Sequence, residues 1–284
     1  MEFIILMDDT MMQIIRKIVA FIGTVTLTGC ISFSVKESTF IFPFKTTGVQ
    51  LDVLITSEFS PKLKAFTTTS SHGSTYINEI QLYNSKCIIL YLGGNLFTID
   101  TEADEVLKDL LPLGCDIVFQ DYFGYGRSTG ETNVSNLITQ ARDTLSFVAT
   151  RNKKIILHGH SLGGILATQI INENIDGIVL EATSDSVYNW AKYMIPWYVR
   201  PLITVKIDAR LDVLDENAVT KIKQPVIVFA GGKDESVPLA ASNELFNKLG
   251  SSEKYLFVLN EADHNSIKKQ DDYLVHYKAF LNAL

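Results

Sequence analysis

The sequence has few cysteines, little concentrated positive charge and no low-complexity stretch. Its 284 residues include 3 Cys, 7 Pro and 2 Trp, and its net charge is −7. Basic side chains cluster only as short pairs such as Lys153-Lys154 and Lys268-Lys269. Because a nucleic-acid partner usually needs a concentrated basic face, we expect none here. The 46% share of hydrophobic residues indicates a globular protein with a large core.

The first 30 residues have the pattern of an export signal. Two basic residues precede the apolar residues 18–27, and small residues follow. This apolar run is shorter than the roughly 20 residues that cross a bilayer, and its flanks are typical of a secretory signal peptide. Residues 27–30, Leu-Thr-Gly-Cys, resemble the lipobox of bacterial lipoproteins, in which the Cys is lipidated and becomes the N-terminus.

We therefore predict a signal peptide with a lipobox over residues 1–30 and a single folded domain over residues 31–284. Lipidated Cys30 would anchor the exported protein to a bacterial membrane, facing the periplasm or the cell exterior. The alternative is an uncleaved anchor helix in which Cys30 is incidental. The Phe-rich residues 40–44 would be a tether leading into a first edge strand.

The two other cysteines, Cys87 and Cys115, each lie near the start of an apolar run. In an oxidising compartment they could form a disulfide. Packing as a small buried side chain is the more common role of Cys in such a strand, and spacing alone does not show whether the two Cα atoms are close enough to pair. We therefore expect two unpaired thiols and keep the disulfide as the alternative.

Short runs of Val, Ile and Leu alternate with helical patterns from residue 87 onward. Such runs predict strands that are buried on both faces, and the alternation predicts an α/β fold with a mostly parallel, doubly wound sheet. The predicted strands are 87–92, 116–121, 154–158, 175–180, 225–230 and 255–259, and the predicted helices 102–111, 136–150 and 163–172. Because ligands bind beyond the carboxyl ends of such strands, functional residues should follow strands directly.

One segment, about residues 184–217, interrupts this alternation. We predict no strand in it, and it contains both tryptophans, Trp190 and Trp197, among other aromatic residues. A long, aromatic-rich insertion is typical of a helical cap over a substrate pocket. The alternative is a helical excursion that packs its aromatics into the main core, and the sequence does not decide between the two.

Residues 159–163, Gly-His-Ser-Leu-Gly, fit the pattern G-x-S-x-G between a predicted strand and a predicted helix. The chemistry needs this spacing, because the flanking glycines leave room for a sharp turn that exposes the hydroxyl of Ser161. The start of the following helix also directs N–H groups toward a developing oxyanion. The context therefore predicts Ser161 as a nucleophile.

A serine hydroxyl is a poor nucleophile without a base, and five His are present. His264 is the candidate, because it follows the last predicted strand and comes after Ser161 in the chain. Asp234 follows another strand, and its carboxylate would accept the His264 N–H, fix the tautomer and stabilise the imidazolium. Glu235 is the fallback acid. We predict no metal and no cofactor, since no zinc-spaced His/Cys set and no phosphate-binding Gly loop is present.

From about residue 87 to the C-terminus the chain resembles the α/β-hydrolase superfamily, in which the triad has the order Ser, Asp, His. It is most similar to the serine aminopeptidase and monoglyceride-lipase-like groups. Residues 121–130, Asp-Tyr-Phe-Gly-Tyr-Gly-Arg-Ser-Thr-Gly, resemble a loop of those groups but carry Phe123 where Arg is usual. The resemblance implies an oxyanion hole formed by the backbone N–H groups of Asn95 and Leu162, although Gly93 replaces the usual His before this loop.

The resulting hypothesis is a serine hydrolase that cleaves a small carboxylic ester with an apolar chain, which makes it an esterase or lipase-like enzyme. A peptidase or a thioesterase would use the same triad, and the residues do not separate these activities. A binding or envelope lipoprotein that kept the fold and lost activity is the alternative from another class. Acid, base and nucleophile together favour the enzyme.

Overall fold

The structure, a computed structural model, describes residues 31–46 and 61–284. Most strands join one sheet of order β10-β9-β7-β6-β4-β5-β3-β2, and β1 and β8 form a separate parallel pair. The strands are β1 Ile31–Val35, β2 Lys62–Ser70, β3 Gly73–Gln81, β4 Cys87–Leu92, β5 Asp116–Gln120, β6 Lys154–His160, β7 Gly177–Glu181, β8 Ile203–Ile207, β9 Val226–Gly231 and β10 Lys254–Leu259. From β4 to β10 the main sheet is parallel, and β2 and β3 add an antiparallel edge.

Helices cover both faces of this sheet. They are α1 Glu37–Phe40, α2 Ile99–Leu110, α3 Val134–Ala149, α4 Leu162–Thr168, α5 Val187–Met194, α6 Ala218–Lys221, α7 Leu239–Lys248 and α8 Asp271–Ala283. Along β4, Ile88 and Leu90 belong to a core cluster with α3 and α4, whereas Ile89 and Tyr91 belong to a second cluster with α2 and α8. Strands buried on both faces explain the continuous apolar runs, and the predicted doubly wound sheet is confirmed.

The segment 184–217 contains α5, but the prediction that it has no strand is wrong. Its strand β8 pairs in parallel with β1, with Ile203 opposite Ile31 and Ile207 opposite Val35. A five-residue strand whose partner lies about 170 positions away leaves no local signal, since alternation of Ile, Val and polar residues over so few positions is weak evidence. The helix predicted over 163–172 is also shorter, because α4 ends at Thr168.

Residues 31–46 form part of the folded domain, so the prediction that the Phe-rich residues 40–44 are a tether is wrong. After β1 and α1, the backbone N–H of Phe42 donates to Oδ1 of Asn95 at 2.9 Å. The Gly126 N–H donates to the Phe44 carbonyl at 2.8 Å. The Phe-rich sequence of this segment thus packs against the main domain. Residues 1–30, with the predicted signal and Cys30, lie outside the described residues.

Cys87 and Cys115 form a disulfide, with Cα atoms 4.8 Å apart. This corrects the expectation of unpaired thiols. The reason is the register of two neighbouring parallel strands, in which Ile88 of β4 lies opposite Asp116 of β5. The residues just before this pair, which are the two cysteines, are therefore also neighbours. Within residues 31–46 and 61–284, no helix combines the length and apolarity needed to cross a membrane.

Candidate active site

Ser161 lies in the tight turn between β6 and α4, with φ 53° and ψ −118°. A non-glycine residue rarely adopts a positive φ, and such strain persists only where the surroundings hold it. Here the backbone N–H of Ser161 donates to the carbonyl of Glu181 at 2.9 Å. The turn places Ser161 at the carboxyl edge of the sheet, where the G-x-S-x-G pattern predicted it.

The second glycine of the motif allows α4 to approach β4 closely. A Cβ atom at Gly163 would lie 1.9 Å from the carbonyl oxygen of Leu92 and 2.6 Å from that of Gly93. Any other residue would therefore push the start of the helix away from the loop that follows β4. The requirement for glycine is steric.

The Gly-Gly-Asn loop after β4 passes beside Ser161. A Cβ atom at Gly94 would lie 3.1 Å from Nδ1 of His160 and 3.5 Å from Cβ of Ser161. Asn95 follows, and its side chain accepts from the Tyr125 hydroxyl at 2.7 Å and donates to the Phe40 carbonyl at 2.9 Å. These bonds fix the loop through the side chain of Asn95.

Leu162, the other predicted oxyanion donor, is the first residue of α4. The first N–H groups of a helix have no acceptor within the helix, and the helix dipole makes this end favourable for negative charge. The Gly-Gly-Asn loop and the start of α4 therefore both adjoin Ser161.

Asp234 and His264 form a hydrogen-bonded pair, with His264 Nδ1 2.8 Å from Asp234 Oδ2. Because a carboxylate only accepts, Nδ1 carries the proton, and the lone pair of the neutral ring is on Nε2. The other oxygen of Asp234 accepts the backbone N–H groups of Ser236 at 2.9 Å and Val237 at 2.7 Å. The turn after β9 thereby fixes the carboxylate that orients His264.

His160 links the Ser161 turn to the His264 loop. Its ring lies 5.0 Å from the His264 ring, and its Nε2 donates to the backbone carbonyl of His264 at 3.2 Å. Burial lowers the pKa of His160 well below its usual range, and the nearby Lys268 ammonium is the second cause of this shift. His160 is therefore a neutral donor that joins the two loops, a role that the sequence analysis did not assign.

A buried charged cluster lies beneath the turn that carries Ser161, and it was not among the predicted features. Glu181, the last residue of β7, is fully buried. It pairs with the Lys268 ammonium and accepts from His158 Nε2 and the Tyr273 hydroxyl, each at 3.0 Å. Although burial alone would raise the pKa of Glu181, Lys268 and His158 hold it well below its usual range. The available signal was an acidic residue directly after a buried apolar run.

Lys268 lies four residues after His264, in the short 3₁₀ turn Ile267–Lys269. Glu181 thus contacts both sides of the site. Its backbone carbonyl binds the N–H of Ser161, and its side chain binds the segment that carries His264. Glu181 therefore connects the turn that carries Ser161 with the segment that carries His264.

The two tryptophans have different environments. Trp190 in α5 is partly buried, packs against Phe40 with ring centroids 5.8 Å apart, and donates its N–H to the Ser236 carbonyl at 2.8 Å. Trp197 is 76% exposed and contacts the Tyr198 ring. Trp190 therefore lies beside the Asp234 loop, whereas Trp197 lies on the outer surface.

A cavity of about 250 Å³ lies between α4 and the segment 184–217. Ile165, one turn beyond Ser161, contributes to its wall together with Val187, Ile207 and Leu211. Ser161, Asp234 and His264 do not line it, so the cavity adjoins the helix that follows Ser161 rather than Ser161 itself. Among the described residues, no group of three or more His, Cys, Asp or Glu side chains is arranged to hold a metal ion.

A model of the alpha/beta hydrolase family matches residues 101–221, a range that includes Ser161 but neither Asp234 nor His264. The chain is 27% identical to the alpha/beta hydrolase domain-containing protein WAV2 of Arabidopsis thaliana over 53% of this chain and 54% of that protein. It is 28% identical to protein bem46 of Schizosaccharomyces pombe over 60% of this chain and 58% of that protein. The matched region thus spans less than two thirds of these curated relatives.

An esterase of Pyrococcus furiosus has a similar structure, with a TM-score of 0.66 and 17% sequence identity. The likeness covers 86% of this chain and 97% of the esterase. The chain therefore has the α/β-hydrolase fold, and the family match supports a place in the α/β-hydrolase superfamily.

Proposed function

We propose that this chain is a serine hydrolase that cleaves carboxylic esters through an acyl-enzyme intermediate. The observation that carries the proposal is Ser161 in a strained strand-to-helix turn next to a loop whose His264 is oriented by Asp234 at 2.8 Å. The similarity to alpha/beta hydrolases, and to a structure named an esterase, supports a hydrolase.

In the proposed reaction, Ser161 Oγ attacks the substrate carbonyl while His264 Nε2 takes its proton. The backbone N–H groups of Asn95 and Leu162 stabilise the oxyanion, and His264 then protonates the leaving alcohol. Water activated by the same imidazole releases the acid and restores Ser161. Asp234 keeps the proton on Nδ1 and stabilises the imidazolium throughout.

The proposed substrate is a carboxylic ester with an apolar acyl or alkyl chain. The aromatic segment 184–217 supports this choice, since Trp190 packs beside the Asp234 loop. The proposal includes a place in the serine aminopeptidase or monoglyceride-lipase-like groups. Peptide amides and thioesters are the rival substrates, because a peptidase or a thioesterase would use the same triad.

A fluorophosphonate probe tests the nucleophile, because it labels activated serines. We expect labelling of the wild type and none of Ser161→Ala, while Ser184→Ala, a buried serine at the same sheet edge, remains labelled. Ester turnover should fall by about 10³-fold or more in Ser161→Ala. A folded wild type that is neither labelled nor active would contradict the enzyme and favour a binding protein on the same fold.

A series of p-nitrophenyl esters of increasing chain length tests the substrate class, beside a peptide amide and an acyl thioester. We expect the highest kcat/KM for an ester of intermediate or long chain. Higher kcat/KM for the amide or the thioester would replace the esterase by a peptidase or a thioesterase with the same catalytic residues.

We further propose that the protein is exported and anchored to a bacterial membrane through lipidated Cys30. The pattern of residues 18–30 carries this proposal. Cys30→Ala should release the protein from the membrane fraction and remove the lipid mass from the mature N-terminus. Unchanged detergent partitioning of Cys30→Ala would favour an uncleaved anchor helix instead.

A further inference from the structure

The segment between β7 and β9 exposes three large apolar side chains within six residues. Trp197 is 76% exposed, Tyr198 56% and Leu202 45%. The rings of Trp197 and Tyr198 contact each other, with centroids 5.9 Å apart. Single exposed hydrophobic residues are ordinary, but a cluster of them marks an interaction site. We call these three residues the aromatic patch.

The surroundings of the aromatic patch are basic, although the whole chain has a net charge of −7. Residues 186–207 contain Lys192, Arg200 and Lys206 and no Asp or Glu. The charges of Lys192 and Arg200 both lie over the Tyr193 ring, at 5.1 and 4.8 Å from its centroid. This places two cations together within the segment that carries the patch.

Two acidic residues lie near this cluster and share one lysine. Glu244 of α7 accepts from the Tyr193 hydroxyl at 3.1 Å, and the Lys248 ammonium lies 3.4 Å from Glu244 and 2.7 Å from Asp185. Lys192, Arg200 and Lys248 thus face two carboxylates, which leaves a local excess of one positive charge that an anionic surface would neutralise.

The N-terminal segment joins the domain next to the aromatic patch. Ile31, the first residue of β1, lies opposite Ile203, which directly follows Leu202. Neighbouring strands are about 4.8 Å apart. Both interpretations of residues 1–30, a lipidated Cys30 or an uncleaved anchor helix, bring a membrane-inserted group close to Ile31. A membrane anchor that precedes Ile31 would therefore enter the domain at the same end of the β1–β8 pair as Leu202 of the aromatic patch.

We propose that the aromatic patch, with Lys192 and Arg200, docks on an anionic lipid bilayer beside the point where the N-terminal segment enters it. Trp and Tyr side chains favour the membrane interface, where their rings are apolar and their polar groups remain hydrated. Basic side chains add attraction to anionic headgroups. A lipid surface fits this combination of aromatic rings, positive charge and adjacent anchor. The proposal does not depend on hydrolysis.

Docking at this surface would also orient the candidate active site. Phe40 packs against Trp190 of α5, and its carbonyl accepts from the side chain of Asn95. Residues 31–46 therefore connect the docked segment to the loop with the predicted oxyanion donor.

The two tryptophans allow a direct test with the full-length chain in phosphatidylcholine vesicles containing phosphatidylglycerol and lipids brominated on the acyl chain. Trp190→Phe leaves Trp197 as the reporter, and Trp197→Phe leaves the partly buried Trp190. We expect brominated lipid to reduce Trp197 fluorescence by about twofold and Trp190 fluorescence little. Trp197 fluorescence that is unchanged by brominated lipid would overturn the proposal.

A matched control uses Tyr83, which is 90% exposed between β3 and β4, at the amino end of the parallel strands. Tyr83→Trp in a chain with both native tryptophans replaced by Phe should report no quenching. Equal quenching at positions 83 and 197 would mean nonspecific adsorption and would overturn the assignment of a surface.

The charge contribution is tested by replacing Lys192 and Arg200 together with Gln. Quenching of Trp197 in anionic vesicles should fall to the level found in pure phosphatidylcholine, whereas Lys64→Gln, an exposed lysine on β2, should have no effect. Equal quenching with and without anionic lipid would overturn the role of charge. Shielding of Trp197 from aqueous acrylamide that rises with protein concentration in lipid-free detergent would assign the patch to a second copy of the chain and overturn membrane docking.

Discussion

Asp121 and Glu181 are two buried carboxylates at the same edge of the sheet, yet their surroundings are different. Asp121 directly follows β5 and Glu181 ends β7, and neither side chain is exposed to solvent. Each carboxylate binds segments that lie at the carboxyl edge of the sheet. Burial raises the pKa of Asp121 from 3.8 to about 6, whereas the pKa of Glu181 is held well below its usual range.

The difference lies in the donors. Asp121 accepts backbone N–H groups from Ile99 at 2.7 Å and Arg127 at 2.9 Å, which are neutral. The guanidinium of Arg127 also binds the carboxylate of Asp100, at 3.1 and 2.7 Å. Glu181 has the buried ammonium of Lys268 in addition to neutral donors from His158 and Tyr273.

The comparison indicates that two backbone hydrogen bonds, with an Arg127 guanidinium that also binds Asp100, do not offset the hydration that buried Asp121 loses, whereas the buried Lys268 ammonium does so for Glu181. The consequence concerns the candidate site. The Glu181 carboxylate stays ionised near neutral pH and connects the Ser161 and His264 loops, whereas the charge on Asp121 changes near pH 6.

The largest effect should come from breaking the buried ion pair. Lys268→Met leaves the Glu181 carboxylate buried without its cation, and we expect the free energy of unfolding to fall by about 3–5 kcal/mol. Equilibrium unfolding in urea measures this loss. Adding Glu181→Gln to Lys268→Met should restore a large part of it, because the unpaired charge is then gone.

Lys108→Met is the matched control. Lys108 pairs with Asp104 on α2 at 2.6 Å, but these side chains are 49% and 47% exposed, whereas those of Lys268 and Glu181 are 7% and 0% exposed. Its removal should cost only a small fraction of the Lys268→Met loss, because solvent screens an exposed ion pair. Equal losses for the two lysine variants would mean that burial of the Glu181–Lys268 pair does not increase its effect on the free energy of unfolding.

The next effect is a pH dependence caused by Asp121. Its pKa is 3.8 in the unfolded chain and about 6 in the folded protein, so between these values the native state holds a proton that the unfolded state has released. The free energy of unfolding should therefore fall as pH rises from about 4 to 6, by about 3 kcal/mol at most. Subtracting the profile of Asp121→Asn, which cannot titrate, isolates this contribution.

Glu181→Gln should give a difference of the opposite sign. Because the folded pKa of Glu181 is lowered, its stabilisation is present above the unfolded value of 4.5 and is lost as pH falls below it. Wild type minus Glu181→Gln should thus decline toward acid pH. Two difference profiles of the same sign would show that the donors to Asp121 and the buried cation beside Glu181 shift the pKa of a buried carboxylate in the same direction.

Much of the fold could be predicted because its signals are local. The strands of the parallel sheet are apolar runs, and the inner ones are buried on both faces, as Ile88 and Ile89 of β4 illustrate. The turn at Ser161 was also predictable, since a strand, a glycine-flanked serine and a helix follow one another in the sequence. Asp234 and His264 were found because each follows a strand.

The remaining features depend on contacts between distant segments. The disulfide follows from the register of β4 and β5, and the β1–β8 pair joins residues about 170 positions apart. Glu181 and Lys268 are 87 positions apart. Neither hydrophobic periodicity nor a short motif predicts such pairings. For this reason the contacts of residues 31–46 and the Glu181 cluster were not predicted.

The smallest effect separates a neutral donor from the cation on the same carboxylate. Tyr273→Phe removes the hydroxyl that donates to Glu181 at 3.0 Å but leaves Lys268 in place. We expect a loss of about 1 kcal/mol, typical of one hydrogen bond. Urea unfolding at a pH where Glu181 is ionised measures it.

Tyr277→Phe is the control for this change, because Tyr277 is equally buried in α8 but its hydroxyl makes only a long contact, 3.5 Å, with His158 Nδ1. Its loss should be smaller than that of Tyr273→Phe. If Tyr273→Phe destabilised the protein as much as Lys268→Met, a neutral hydroxyl would contribute as much as the ammonium. The low pKa of Glu181 would then reflect the number of donors rather than the buried cation, and the contrast with Asp121 would come down to three donors against two.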